Sequence, residues 1–208
     1  MIARLIGSVL LGVALGLFSA RGDGVQVMVI NGLANAASPW IVAAFTAGAL
    51  QGSIRLAAVA GALALLVAVI TYYVGFLAGG ATFLVPFLVV WAIAALLAGG
   101  LFGLAGGAWR TDRARWGAAA VSLVSGLLLA EAGHRLILLQ VWTGIEWDRT
   151  YMQVAVADIA GAGLVMLLLR GRLRWHLVAI LVPVVAVAGL ALLSVGDRIL
   201  GLAAAAAQ

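Results

Sequence analysis

Apolar residues in this chain run in long stretches separated by short polar breaks. A bilayer crossing takes about 20 such residues at 1.5 Å rise each, within a range of roughly 17–25. By that measure, spans are expected near residues 2–20, 56–78, 82–108, 117–140, 151–169 and 175–195. The stretch 24–50 is apolar enough for one more but is interrupted by Asn31, Asn35 and the run Ala37-Ser38-Pro39-Trp40. Ser38 before Pro39 reads as an N-cap and a first helical residue, so a broken span with a helix restarting there is expected. The pattern predicts an all-α polytopic transmembrane bundle, a single domain over residues 1–208. It has about seven spans, or six if 24–50 does not cross, and a short Ala-rich tail at 196–208.

Composition removes the alternatives. Of 208 residues, 66% are hydrophobic and 9% charged, and the mean hydropathy is +1.23. Soluble domains carry roughly 45–50% apolar and about 25% charged residues. So few charges cannot cover a water-facing surface, which excludes a soluble globular protein, a disordered chain and a nucleic-acid binder. The chain has no cysteine, so disulfides, thiolate metal sites and cysteine nucleophiles are excluded. The first apolar run ends Phe18-Ser19-Ala20. A bulky Phe18 stands where a signal-peptide cleavage site wants a small residue, so a retained helix is expected.

Charge then sets the orientation. All twelve basic residues are Arg, within a formal net charge of +5. With seven crossings, Arg4, Arg55, Arg110, Arg113, Arg115, Arg170, Arg172 and Arg174 fall on one side, and Arg21, Arg149 and Arg198 on the other. Basic loops stay in the cytoplasm. The expectation is an inner (cytoplasmic) membrane protein with its amino terminus inside. A re-entrant 24–50 would flip the parity and push both Arg-rich loops outside. Trp109, Trp116 and Trp175 fit the inner interface, and Trp142 and Trp147 the outer. The loops 109–116 and 170–175 share an Arg-x-Arg-Trp ending. Basic inner loops with interfacial Trp explain this without a repeat.

Small residues let helices approach closely in lipid. Gly12 with Gly16, Gly75 with Gly79, and the ridge Gly99, Gly103, Gly107 are expected to pack within the bundle; a dimer interface is the other use of such pairs.

One polar constellation stands out. Glu131, His134 and Arg135 lie at i, i+3 and i+4 on one face of the fifth span. Ionisable residues in a membrane are costly and face the bundle interior, where they pair or do work. Counting rise from the span ends, Arg135 lies about 7–8 Å and Asp158 about 10 Å below the outer boundary. The two are therefore expected to meet. Tyr72 and Tyr73 of the third span fall in the same half, giving a candidate ligand-binding or ion-pair cluster of Glu131, His134, Arg135, Asp158, Tyr72 and Tyr73. No catalytic, cofactor-binding or metal residues are assigned. Glu131-x-x-His134 is too short a signal for a metal without a full ligand set. No HExxH, G-x-S-x-G, phosphate-loop or dinucleotide motif occurs.

The run Asn31–Trp40, Tyr72-Tyr73, the Gly-rich fourth span leading to Trp109-Arg110, and Glu131-Ala132 resemble a family of small multi-pass membrane proteins of unknown function from high-GC bacteria. That resemblance implies location and topology. A looser similarity is to the membrane substrate-binding subunits of energy-coupling-factor transporters, which typically have six spans. Three functional readings follow: a protein that binds a small solute from the external side as a transporter component, a structural or assembly partner with no ligand, and, third, a membrane-embedded enzyme. The expected partners are the lipid bilayer, a small-molecule ligand or an unidentified protein, with no nucleic acid.

Overall fold

The computed structural model describes residues 2–23, 25–80, 82, 85–110, 114–141, 148–169 and 174–206. The elements are α1 (Ile2–Gly22), α2 (Met28–Ala34), α3 (Ala37–Ala49), α4 (Ile54–Ala78), α5 (Val85–Trp109), α6 (Ala114–Val141), α7 (Asp148–Leu168) and α8 (Trp175–Ala206). Six of them are long and apolar enough to cross a membrane: α1, α4, α5, α6, α7 and α8. Helices satisfy their own backbone groups, which hydrocarbon demands. The fold is a polytopic helical bundle.

The short helix α2 folds against the end of α1, and α3 runs from there to the other end of the bundle. At the turn between the two, Asn35 reaches Asp23, just past the end of α1. Past the finish of α3, Gln51 donates to Ser8 Oγ at 3.3 Å and to the Arg4 carbonyl at 3.4 Å, at the beginning of α1. Packing of α1 on α4 agrees. A Cβ on Gly16 would meet Thr71 Cβ at 2.6 Å, and one on Gly75 would meet Ala20 Cβ at 2.9 Å. Residue numbers rise together along both helices, so α1 and α4 run parallel, and a chain that links parallel helices must return between them. Helix α3 makes this return, and at 13 residues it is shorter than the six membrane-length helices.

The break differs from the sequence expectation. Ser38 is not the N-cap. Ala36 holds that position with extended φ −87° and ψ 149°, and no side chain of its own caps the helix. Ala37 is the first helical residue, Ser38 the second and Pro39 the third. Proline is tolerated there because its missing N–H would have had no partner in the first turn.

Small residues carry the packing. Ala57, Ala60, Ala64 and Ala68 are fully buried along α4, at the spacing of one helical face. Gly99 and Gly103 press α5 onto this face, where Cβ atoms would fall on the backbone of Gly61, Ala62 and Ala57. Gly12 and Gly16 press α1 onto Ala64 and Ala68. These glycines pack inside the bundle. Gly79 only ends α4, before Gly80 takes φ 80°, a left-handed value that glycine adopts without strain.

Helix α6 is the most buried of the six long helices. It packs on α8 and α7 on one side and on α5 and α3 on the other. Ser125 Oγ donates to the Ala162 carbonyl at 3.3 Å, and Gly126 faces Val182 and Val185. Helices α6–α8 thus form a group that docks on α1–α5 through α6, with α2 touching α7. Helix α8 continues to Ala206, past Val195 and through Pro183. Residues 111–113 and 170–173 of the two Arg-rich loops and the expected outer anchors Trp142 and Trp147 lie outside the described residues.

Candidate functional site

The break between α2 and α3 is where the polar groups gather. Helix α2 ends on Asn35, whose backbone N–H donates to the Asn31 carbonyl at 3.1 Å. The Asn35 side-chain Nδ2 donates to that same carbonyl at 3.0 Å, to Asn31 Oδ1 at 3.2 Å and to Asp23 Oδ1 at 3.2 Å. Tyr72 on α4 donates its hydroxyl to Asp23 Oδ2 at 2.8 Å. Tyr72 also stands edge-on to Tyr73 with ring centroids 5.3 Å apart.

Helix α3 opens with two exposed backbone donors and a proline. Glu131 on α6 satisfies both. Its Oε1 accepts the Ala37 N–H at 2.8 Å, and its Oε2 accepts the Ser38 N–H at 2.8 Å. Since Pro39 has no N–H, one carboxylate accounts for every donor of the first turn. The match is also electrostatic, because the amino end of a helix carries partial positive charge. Sequences normally place such a cap at the N-cap itself. Here it comes from a helix more than 90 residues away.

Arg135 and Asp158 complete the cluster. Arg135 Nη2 donates to Glu131 Oε1 at 2.8 Å. Arg135 Nε stands 3.8 Å from Asp158 Oδ2 on α7, too long for a hydrogen bond. The Asp158 carboxylate also lies beside Ser38. Glu131 is 6% and Asp158 2% exposed, so both carboxylates sit inside the protein. His134 is half-buried on α6, three residues beyond Glu131.

The six sequence-derived residues thus divide. Glu131, Arg135 and Asp158 meet, with His134 on the same stretch of α6. Tyr72 and Tyr73 join a second group through Asp23 instead. The segment Asn35–Ser38 links the two groups, because Asn35 holds Asp23 while Ala37 and Ser38 hold Glu131. Sequence reasoning did not find Asp23 as the Tyr72 partner or the backbone of Ala37 and Ser38 as the Glu131 partner. The available signal was the proline. A helix start whose third residue lacks an N–H leaves two donors, a number one carboxylate can satisfy. Among the described residues, no group of three or more His, Cys, Asp or Glu could hold a metal ion.

No curated protein and no solved structure is significantly similar to the chain. The sequence model of one family matches residues 1–197. By that match the chain belongs to DUF6518, a family of unknown function.

Proposed function

We propose that this is a non-enzymatic protein of the cytoplasmic membrane, with its amino terminus inside, acting as a structural or assembly component. In this reading the Glu131–Arg135–Asp158 cluster serves the fold and takes no solute. The observation that carries it is the complete use of the Glu131 carboxylate, whose two oxygens accept the two free N–H groups of α3 and the Arg135 guanidinium. In hydrocarbon each unsatisfied backbone group costs several kcal/mol. A broken crossing therefore needs such a cap whether or not it binds anything. The arginine asymmetry supports the orientation.

A second reading keeps the solute. Discontinuous helices whose half-helix amino ends point at anionic groups are how several transporters hold substrate, and the amino end of α3 meets a carboxylate at comparable depth. In that case Glu131 would yield its place to a ligand arriving from the external side, as in a transporter component.

Water access separates the two. Ser38→Cys is nearly isosteric, and the chain has no other cysteine. The structural reading expects no reaction with a membrane-impermeant thiol reagent in intact cells. Labelling from outside would favour the solute reading.

A further inference from the structure

At the arginine-rich end, the turn between α3 and α4 and the end of α5 enclose a shallow depression lined by Gln51, Gly52, Ser53, Ile54, Gly107 and Arg110. We infer that this depression binds the phosphate headgroup of an anionic membrane lipid.

Two guanidinium groups converge on it. Arg110 Nη1 donates to the Ala49 carbonyl at 2.9 Å, which fixes the side chain at the rim while the remaining guanidinium donors stay available. Arg4 lies over the turn, its Nη1 3.1 Å from where a Cβ of Gly52 would stand. A side chain on Gly52 would thus push Arg4 aside. The floor is rigid: Gln51 is 4% exposed and its amide holds the Arg4 carbonyl, Ser8 Oγ and the Ala47 carbonyl. Behind it, Gly107 lets α5 close on α4, where a Cβ would fall 2.6 Å from Ala57 Cβ.

The charge at this place is one-sided. Arg55 follows Ile54 in the first turn of α4, which holds no acidic residue. A cation at the amino end of a helix is unfavourable unless an anion sits nearby. The carboxylates with described side chains, Asp23, Glu131 and Asp158, all belong to the polar groups around the α2–α3 break. Asp112, further along the chain from Arg110, lies outside the described residues.

The oxyanion these groups fit is a phosphate, from a lipid or free in solution. Position favours the lipid. The depression lies at the ends of membrane-length helices, one residue beyond Trp109, and its wall residue Ile54 is 43% exposed, an apolar surface for an acyl chain. Basic pockets between spans at the cytoplasmic face hold lipid headgroups in this way.

The test uses the whole protein, purified in neutral detergent. Phosphatidylglycerol, phosphatidylcholine or inorganic phosphate is added, and binding is read by native mass spectrometry and by thermal shift. Phosphatidylglycerol is expected to stay bound and raise Tm, and the other two to do neither. Arg4→Gln and Arg110→Gln are each expected to weaken phosphatidylglycerol by about fivefold, the worth of one guanidinium at a lipid surface. Arg174→Gln, with the same charge loss at the same end but outside the depression, is expected to leave it unchanged. Arg4 has an exposed side chain, so Arg4→Gln remains informative if Arg110→Gln fails to fold. Equal weakening by Arg174→Gln would overturn the site in favour of diffuse attraction. Equal stabilisation by inorganic phosphate, or equal retention of phosphatidylcholine, would overturn the lipid assignment.

Discussion

Ser38 donates its backbone N–H to Glu131 Oε2 at 2.8 Å across 93 positions of the chain. This bond and its neighbour from Ala37 join the two helix groups at the point where α2 gives way to α3. They tie the register of α6 to the start of α3. Much of the polar chemistry of this apolar protein serves that junction.

Replacing Glu131 tests how much the junction carries. Glu131→Leu leaves two backbone donors and the Arg135 charge without an acceptor. The expected loss is about 3–5 kcal/mol, the range for breaking a buried charge pair. Glu131→Gln keeps the shape and one acceptor oxygen, and should lose about 1–3 kcal/mol. Reversible unfolding in micelles measures both. Equal stability of wild type and Glu131→Gln would contradict the cap.

Arg135 is shared between two carboxylates at unequal distances, 2.8 Å to Glu131 and 3.8 Å to Asp158. Double-mutant cycles should show the difference. The Glu131/Arg135 coupling is expected toward the upper part of the roughly 0.5–3 kcal/mol range for contacting residues, and the Arg135/Asp158 coupling toward the lower part. The reverse order would mean that Asp158 is the true partner of Arg135.

The glycines of α5 give a prediction of opposite sign at neighbouring positions. A Cβ on Gly100 meets nothing within 4 Å, whereas one on Gly103 falls on the Ala57 carbonyl. Gly100→Ala should raise stability by up to about 1 kcal/mol through helix propensity. Gly103→Ala should lower it, because α4 and α5 must move apart. Thermal unfolding of the two variants, side by side, checks the sign.

Orientation is open to single-cysteine labelling. Gln26→Cys lies beyond α1 and Gly52→Cys in the turn after α3, at opposite ends of the bundle. An impermeant reagent on intact cells is expected to reach Gln26→Cys and to miss Gly52→Cys. Labelling of Gly52→Cys alone would invert the map. Labelling of both would place the α3–α4 turn and the end of α1 on one side.

The bundle was legible from the sequence because spanning length is a physical minimum that apolar runs either meet or miss. The break in segment 24–50 was legible too, since Asn31, Asn35 and Pro39 interrupt its apolar run. The position of the restart was not. Ser38-Pro39 looks like a local N-cap, but the helix begins two residues earlier, at Ala37, where Glu131 supplies the cap from α6. Depth counting brought Arg135 near Asp158. It could not separate Tyr72 from the charged cluster, because depth says nothing of which neighbour a residue faces. Tyr72 turns to Asp23, which sits in the polar break after α1 and carries no periodic signal. Glu131 read as a site residue for the reason that any buried charge does. Its actual partners are main-chain groups, which no side-chain pattern displays.

The most direct measurement of the account's central claim is backbone hydrogen exchange at Ala37 and Ser38. In the wild type, both amides should be protected as hydrogen-bonded donors. In Glu131→Gln, at least one should exchange markedly faster, while amides later in α3, such as those of Phe45 and Ala47, keep their protection. Rapid exchange at Ala37 and Ser38 in the wild type, or protection unchanged in Glu131→Gln, would contradict the claim that Glu131 caps the broken helix.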